Sequence, residues 1–448
     1  MKPTGILFFP AFDWAISPTH PEREERLLYT RDQIFEEGIM DLPQIREYQP
    51  GLATFKDIAR VHFCVPDIEA QITEAHLVSA GSALRMADAV VTGEVKNGFA
   101  IIRPPGHHSM TVVHGNRGFC NINNEAIMVE YLRHKYGLKR IAIVDTDVHH
   151  GDGTQEIFWD DPDVLFISFH QDGRTLYPGS GFMEEKGGPL AYGTTINIPL
   201  SPRTTDDGIL FILDKLVMPL LEEFKPDLVV NSAGQDNHYS DPLANMCFSA
   251  QGYARLNQRL KPDIAVLEGG YSVESALPYI NMGLIMAMAG IDFSNLKEPD
   301  YSPHKFKEPA GNREALQRIV DTQLRVFRER EEKIALTRAK SDRPFRMEMR
   351  NIFYDTDYIH EQQRVEVRMC QTCAGFRTIV SSARHPSGRE YSVGCVSIPF
   401  GACSECQTEG QEAYRTLQQG NTQLVYLQNK IADEYRVIDT RSKQETRL

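Results

Sequence analysis

The segment Asp145 to Asp152, DTDVHHGD, sets three carboxylates and two imidazoles in eight residues, directly after the apolar run Ile141–Val144. A short run of Val and Ile fits a strand buried on both faces of a parallel sheet. Side chains alternate along a strand, so Asp145, Asp147 and His149 are expected on one side of it. Buried charge is costly unless it is paired or bound to metal. Two carboxylates and an imidazole at one strand end suit a divalent cation. Gly151 and Gly153 let the chain turn away and bring His150 and Asp152 towards the same point.

Other strand ends carry matching chemistry. Asp236, in NSAGQD after the run Leu228–Val230, offers a third ligand. An Asp/His/Asp set leaves one position of a zinc ion open for water, the arrangement of a catalytic site. His107 and His108 follow a Pro-Pro-Gly turn and become acid–base groups if carboxylates fix their tautomers. Asp145 and Asp152 are placed for that task. Tyr271, after two glycines in EGGY, is placed to donate to an oxyanion. An Asp/His/Asp site also accepts iron or cobalt, so the residues alone do not select the metal.

The elements that must position these groups follow an alternating plan. Apolar runs at Ile6–Phe9, Phe99–Ile102, Ile141–Val144, Val164–Phe169, Ile196–Pro199, Leu228–Val230 and Ile264–Leu267 are separated by helix-length intervals. Helical patterns at Ala70–Val91 and Ile209–Phe224 lie between some of them. Strand–helix alternation implies an α/β fold, a parallel sheet flanked by helices, and ligands in such sheets bind beyond the carboxyl ends of the strands. This organisation covers residues 1–292. Residues 293–344 read as a proline- and charge-rich linker followed by a helix from Arg313 to Ala339, with Leu316, Ile319, Val320, Leu324 and Phe327 on one stripe. Residues 345–448 read as short strands and turns ending in a helix from Glu409 to about Tyr435. Leu417, Leu424 and Ile431, seven apart, would give that helix a pairing face.

Five of the eight cysteines crowd into this tail. Cys370-x-x-Cys373 and Cys403-x-x-Cys406 bracket the strand-like FRTIVSS and EYSVGCV, a pattern similar to a zinc ribbon with four structural ligands. Cys395 is a spare. The chain of 448 residues is 41% hydrophobic and 24% charged, as soluble globular proteins are. Its net charge of −13 argues against general binding to nucleic acid or anionic membranes. No apolar run is long enough to cross a bilayer, and MKPTGILFFPAFDW makes a first strand rather than a signal peptide. A cytoplasmic protein is expected, and the clustered cysteines then fit metal better than disulfides.

RPPGHHS, GFCNINNEAI, DTDVHHGDGTQEIF, LYPGSG, NSAGQD and EGGY, in this order and spacing, resemble the zinc-dependent histone deacetylase and acetylpolyamine amidohydrolase family. HPEREERL, from His20, resembles its early loop. The resemblance runs from about residue 4 to 290 and implies the arginase–deacetylase fold. By position it implies catalytic zinc on Asp147, His149 and Asp236. It implies His108 as general base and His107 as its electrostatic partner and acid, with Asp145 and Asp152 as their carboxylates. Tyr271 would polarise the acyl oxygen, and Phe119 and Tyr177 would wall a narrow tunnel. A potassium ion beside the zinc would draw on Asp145, Asp147, His149, Ser168 and Phe169.

The implied reaction is hydrolysis of acetyl or other acyl groups from lysine-like amines by metal-activated water. Leu243, in SDPLAN, stands where polyamine-selective relatives carry an acid, which favours an acylated lysine peptide over a polyamine. Gln235 stands where many relatives carry an aromatic or small residue. An acetylpolyamine or small-metabolite deacetylase and an inactive acyl-chain binding protein are the alternatives. An arginase-like two-metal hydrolase shares the fold but lacks a second ligand set here. The tail would cover the site's mouth, recognise a partner or join copies of the chain into a homo-oligomer.

Overall fold

The computed structural model describes residues 2–302, 305–341 and 343–448. Its first ten strands are β1 (Thr4–Phe9), β2 (Ile45–Tyr48), β3 (Phe63–Cys64), β4 (Asn97–Ile102), β5 (Val112–Val113), β6 (Ile141–Asp145), β7 (Val164–Gln171), β8 (Thr195–Leu200), β9 (Leu228–Ala233) and β10 (Ile264–Leu267). Eight of them form one parallel sheet in the order β2-β1-β4-β10-β9-β6-β7-β8. The seven apolar runs are strands of this sheet, whereas β2 carries charge at its centre (IREY) and has no comparable apolar run. The remaining pair, β3 and β5, is a two-residue parallel bridge.

Both faces of the sheet are covered, which is why its strands are apolar throughout rather than alternating. Helices Glu74–Val91 and Asn124–Tyr136 pack on one face. Asp206–Phe224, Ala250–Leu260 and Leu277–Ala289 pack on the other. The first of this second group passes through a π-helical stretch at Leu213–Val217. The helix expected over Arg313–Ala339 is two helices, Asn312–Arg328 and Arg330–Lys340, that break at Glu329. Only the first sits in the core, through Leu316, Ile319, Val320 and Phe327; no residue of the second is buried. The linker before them is strapped down. Glu298 is buried 3.2 Å from His238 Nε2, and Glu308 accepts from the Thr205 amide at the start of helix Asp206–Ile212.

Residues 345–447 build a second sheet from β11 (Phe345–Tyr354), β12 (Ile359–Arg368), β13 (Arg377–Arg384), β14 (Glu390–Ile398), β15 (Leu424–Asn429), β16 (Glu434–Asp439) and β17 (Glu445–Arg447), paired in that order. All pairs are antiparallel except β14 with β15, which the helix Ser404–Leu417 joins as a crossover. This corrects the terminal helix expected over 409–435. The helix stops at Leu417; Leu424 opens β15 and Ile431 lies in the turn after it, so the three residues share no helical face. Along β12, Ile359, Glu361, Gln363, Val365 and Val367 are buried while the residues between them face outward. That inner face meets Phe63, Val65 and Val112 of the first domain, and Tyr426 Oη donates to the carbonyl oxygens of Cys64 and Pro66.

Candidate active site

Strands β4, β10, β9 and β6 are neighbours at the centre of the parallel sheet, so the four loops that leave their carboxyl ends converge. From those loops come His107 and His108, Tyr271, Asp236, and Asp145 through Asp152 respectively. Asp147, His149 and Asp236 offer ligand atoms within 4.8 Å of one another. His149 Nδ1 stands 3.2 Å from Asp147 Oδ1 and 3.1 Å from Asp236 Oδ2. Burial pushes this imidazole's pKa down, yet the two carboxylates lift it to about 10. Two buried negative charges thus require a positive charge between them, and two carboxylate oxygens with one imidazole nitrogen fit zinc. Glycine makes the room. A Cβ on Gly234 would overlap the Asp147 carboxylate, and one on Gly269 would overlap both ligand carboxylates.

The paired histidines are each held by an acid. His107 Nδ1 lies 3.0 Å from Asp145 Oδ2, and His108 Nδ1 lies 2.8 Å from Asp152 Oδ1. Their rings are 4.1 Å apart. Burial, reinforced by His107, pushes His108 down to about 3, whereas Asp147 and Asp145 hold His107 well above its usual value despite burial. The turn before them is fixed by Glu268, whose Oε2 accepts from the amides of Gly106 (2.7 Å) and His107 (3.1 Å). His150 does not join the cluster. Its ring turns to Ser180 Oγ and Gln155 Oε1, while Asp152 does reach His108. Gly151 and Gly153 also act otherwise than expected. Neither has a positive φ, and each is required by close approach, to the Asp145 carboxylate and to the His108–Ser109 backbone.

Tyr271 is buried, its amide donating to Asp241 Oδ2 at 2.7 Å and its ring meeting Phe119 edge-on at 5.5 Å. The Arg26 guanidinium lies 4.9 Å from the ring centroid. Arg26 also donates to the Gly270 and Glu268 carbonyl oxygens and is neutralised by Glu22, which in turn accepts from Arg103. A cavity of about 270 Å³ opens between these groups, walled by Phe119, Leu176, Tyr177, Leu243, Tyr271 and Asp355. Phe119 has φ +72° and follows Gly118 at +54°, with Arg117 and Cys120 closing the turn by two backbone hydrogen bonds. Two successive positive-φ residues make a type I′ turn, and it aims Phe119 into the cavity. Gln235 instead turns its amide to Asn281 of helix Leu277–Ala289.

A histone deacetylase domain model matches residues 66–282. A probable deacetylase of Archaeoglobus fulgidus is 46% identical over 325 residues, 66% of this chain and 89% of that protein. The chain belongs to the histone deacetylase family. Histone deacetylase 14, chloroplastic, of Arabidopsis thaliana is 38% identical over 54% of this chain and 59% of its own length. A solved structure, that of the HDA15 HD domain, superposes with a TM-score of 0.64 at 26% identity, covering 76% of this chain and 99% of that one. The arginase–deacetylase fold expected from the motifs is therefore the fold of this deacetylase, and the protein is a hydrolase.

The second domain reaches into the deacetylase site. Asp355, in the turn between β11 and β12, accepts at Oδ1 from the Gly118 amide (2.9 Å) and from Tyr177 Oη (3.0 Å). Asp357 accepts from the Asn116 amide at 2.6 Å. Arg377 and Arg350 hold Glu156 at 3.0 and 3.1 Å, one helical turn beyond Asp152. Arg117 pairs with Asp152 at 2.5 Å. None of these partners is legible in the sequence; only the alternation of strands in the tail hints that it forms a sheet able to supply them.

In the second sheet's connections, Cys370, Cys373, Cys403 and Cys406 bring their sulfurs within 4.8 Å of one another. The first pair follows β12 and the second begins the helix Ser404–Leu417. Burial raises the Cys370 thiol, but hydrogen bonds from Thr372 bring it to about 6, and a thiolate is the form that binds metal. Cys395 is buried in the interface between the domains, away from the cluster. Ser168 sits opposite Asp145 in the β6–β7 register, its Oγ bonded to His170 Nδ1, with Phe169 buried next to it. Among the described residues no helix is long and apolar enough to cross a membrane.

Proposed function

We propose that this deacetylase hydrolyses the amide of acylated lysine side chains, releasing a carboxylic acid and a free amine. The observation that carries the reading is the cavity itself. Apolar walls lead to His149, which stands with Asp147 and Asp236, and His107, His108 and Tyr271 face the same space, each histidine backed by its carboxylate. Zinc held by those three residues would polarise the acyl carbonyl and lower the pKa of water to about 7. His108, neutral because it is buried and with Nδ1 committed to Asp152, has Nε2 left to take the proton from water. His107, with Nδ1 bonded to Asp145, would supply positive charge and a proton for the departing amine. Tyr271 would donate a hydrogen bond from its hydroxyl to the oxygen that gains charge. Asp145, Ser168 and Phe169 would hold a potassium ion behind the zinc ligands, and the four cysteines a second, structural zinc.

The test is metal content and hydrolysis together. The wild-type chain is expected to carry two zinc ions and to cleave a fluorogenic acetyl-lysine peptide. Asp236→Ala is expected to carry one zinc and to lose activity. A single zinc that survives the substitution, with no hydrolysis in either protein, would overturn the reading.

Asp355 favours a second reading, a deacetylase of acetylated polyamines, because it brings a carboxylate to the cavity that Leu243 leaves neutral. If a distal ammonium is recognised there, Asp355→Asn should lower kcat/KM for acetylputrescine about tenfold, as loss of one charged contact does. Hydrolysis of a neutral acetyl-lysine amide should then be unchanged. Equal effects on both substrates would leave the lysine reading alone.

A further inference from the structure

Strand β11 is the terminal strand of the second sheet. It pairs with β12 along ten residues, and among the described residues no strand covers its other edge. Among the described residues, no backbone hydrogen bond reaches that edge from elsewhere in the chain. Long uncovered edges are templates for further pairing, and proteins ordinarily shield them with charge, bulges or a covering segment. Here the edge faces a cleft of about 790 Å³, with Trp159, Tyr177 and Pro178 on the opposite wall. On the strand side the cleft touches Arg350, Asn351, Ile352 and Phe353 in succession. Neighbouring side chains of a strand point to opposite faces. A cavity that meets residues of both parities therefore runs along the strand's edge, where the backbone N–H and C=O groups are.

The cleft borders the catalytic cavity across a wall made by the hydrogen-bonded pair Tyr177 and Asp355. Tyr177 and Asp355 line both, and β11 leads directly into Asp355 through Tyr354. A row of alternating donors and acceptors is complemented by an extended polypeptide backbone. A polyamine has donors but no carbonyl groups and cannot complete such a ladder.

Resting on the reading of this site as an acyl-lysine hydrolase, we propose that the substrate is an extended polypeptide that adds to the free edge of β11. Its acyl-lysine side chain passes over the wall that the Tyr177–Asp355 hydrogen bond makes and enters the cavity. At about 3.3 Å per residue the stretch of β11 from Glu348 to Phe353, five of whose residues line the cleft, matches about six residues of substrate.

The experiment uses the full-length, zinc-loaded protein and three probes. One is a capped single acetyl-lysine amide, the second a ten-residue peptide with central acetyl-lysine, and the third a set of the same peptides methylated at single backbone nitrogens. The peptide should exceed the single residue in kcat/KM by about tenfold or more, the worth of one or two hydrogen bonds. On an edge strand only alternate amides face the partner. Methylation at one parity should remove the gain, and methylation at the other should leave it. Equal turnover of peptide and single residue, or indifference to methylation at both parities, overturns the proposal while the acyl-lysine reading stands. Hydrolysis of neither probe overturns the reading beneath it. A dimer at assay concentration that cross-links through Asn351→Cys would show that a second copy holds the edge, and the proposal fails.

Discussion

Tyr271→Phe is expected to lower kcat about 10²–10³-fold while KM for an acetyl-lysine peptide changes little. The ring's place does not depend on its hydroxyl. It is fixed by the edge contact with Phe119, by Arg26 beside it and by the bond from its own amide to Asp241. Phenylalanine would keep all three. What disappears is the O–H that, in the proposed reaction, donates to the oxygen that becomes negative only as the tetrahedral carbon forms, so the loss would belong to the transition state. Burial raises the Tyr271 pKa well above its usual value even though Arg26 opposes this, so the hydroxyl keeps its proton across the working range. Steady-state kinetics with zinc content measured on the same samples would check this. A rise in KM with kcat preserved would mean that Tyr271 binds substrate rather than stabilising the reaction, and would contradict the assignment.

The groups at strand ends are legible because charge placed directly after a buried apolar run must find a counter-charge or a cation. Asp147, His149, Asp236 and both histidines are adjacent in space because β4, β10, β9 and β6 are adjacent in the sheet. That strand order is a tertiary fact with no local signature. Local chemistry also hides the reasons for several residues. Gly234 and Gly269 read as loop glycines, yet each is dictated by a carboxylate from another strand. Arg26 and Glu22 lie in the charged stretch HPEREERL, yet they are fully buried as a pair beside Tyr271. In the tail, the period-seven positions suggest a helix face although GNT at 420–422 and the apolar run LVYL at 424–427 mark a stop and a strand. Turn residues outweigh a three-point heptad. The role of Asp355 has no signal in the sequence at all, since it depends on how one domain docks on another.

That docking is why Glu156→Gln should be among the more damaging substitutions in the protein, although Glu156 is not a catalytic group. Its Oε1 meets Arg377 and Arg350 of the second domain, its Oε2 accepts from the Thr111 amide, and Arg377 also donates to Thr111 Oγ1. Burial raises this carboxyl, but the two arginines more than offset that and hold it below the usual value. An amide in its place would leave Arg350 with only the exposed Glu348 and Arg377 with only Asp160, 4.0 Å away, and breaking a buried pair costs about 3–5 kcal/mol. The sign with pH follows. A carboxyl whose pKa is lower in the folded protein contributes its stability above the unfolded value of about 4.3. The contribution is lost as pH falls towards the folded value. Wild type should therefore weaken on acidification through this window more than Glu156→Gln, whose denaturant midpoint should be lower at neutral pH and flatter with pH. Activity should fall with stability, because helix Asp152–Phe158 carries both Glu156 and Asp152, the acid that orients His108. Chemical denaturation at about pH 7 and about pH 3.5, above and below the unfolded carboxyl value of about 4.3, with kcat measured under conditions where the variant is folded, would separate the two effects. A variant as stable as wild type at neutral pH would mean that the second sheet is held by its apolar contacts with Phe63, Val65 and Val112 alone.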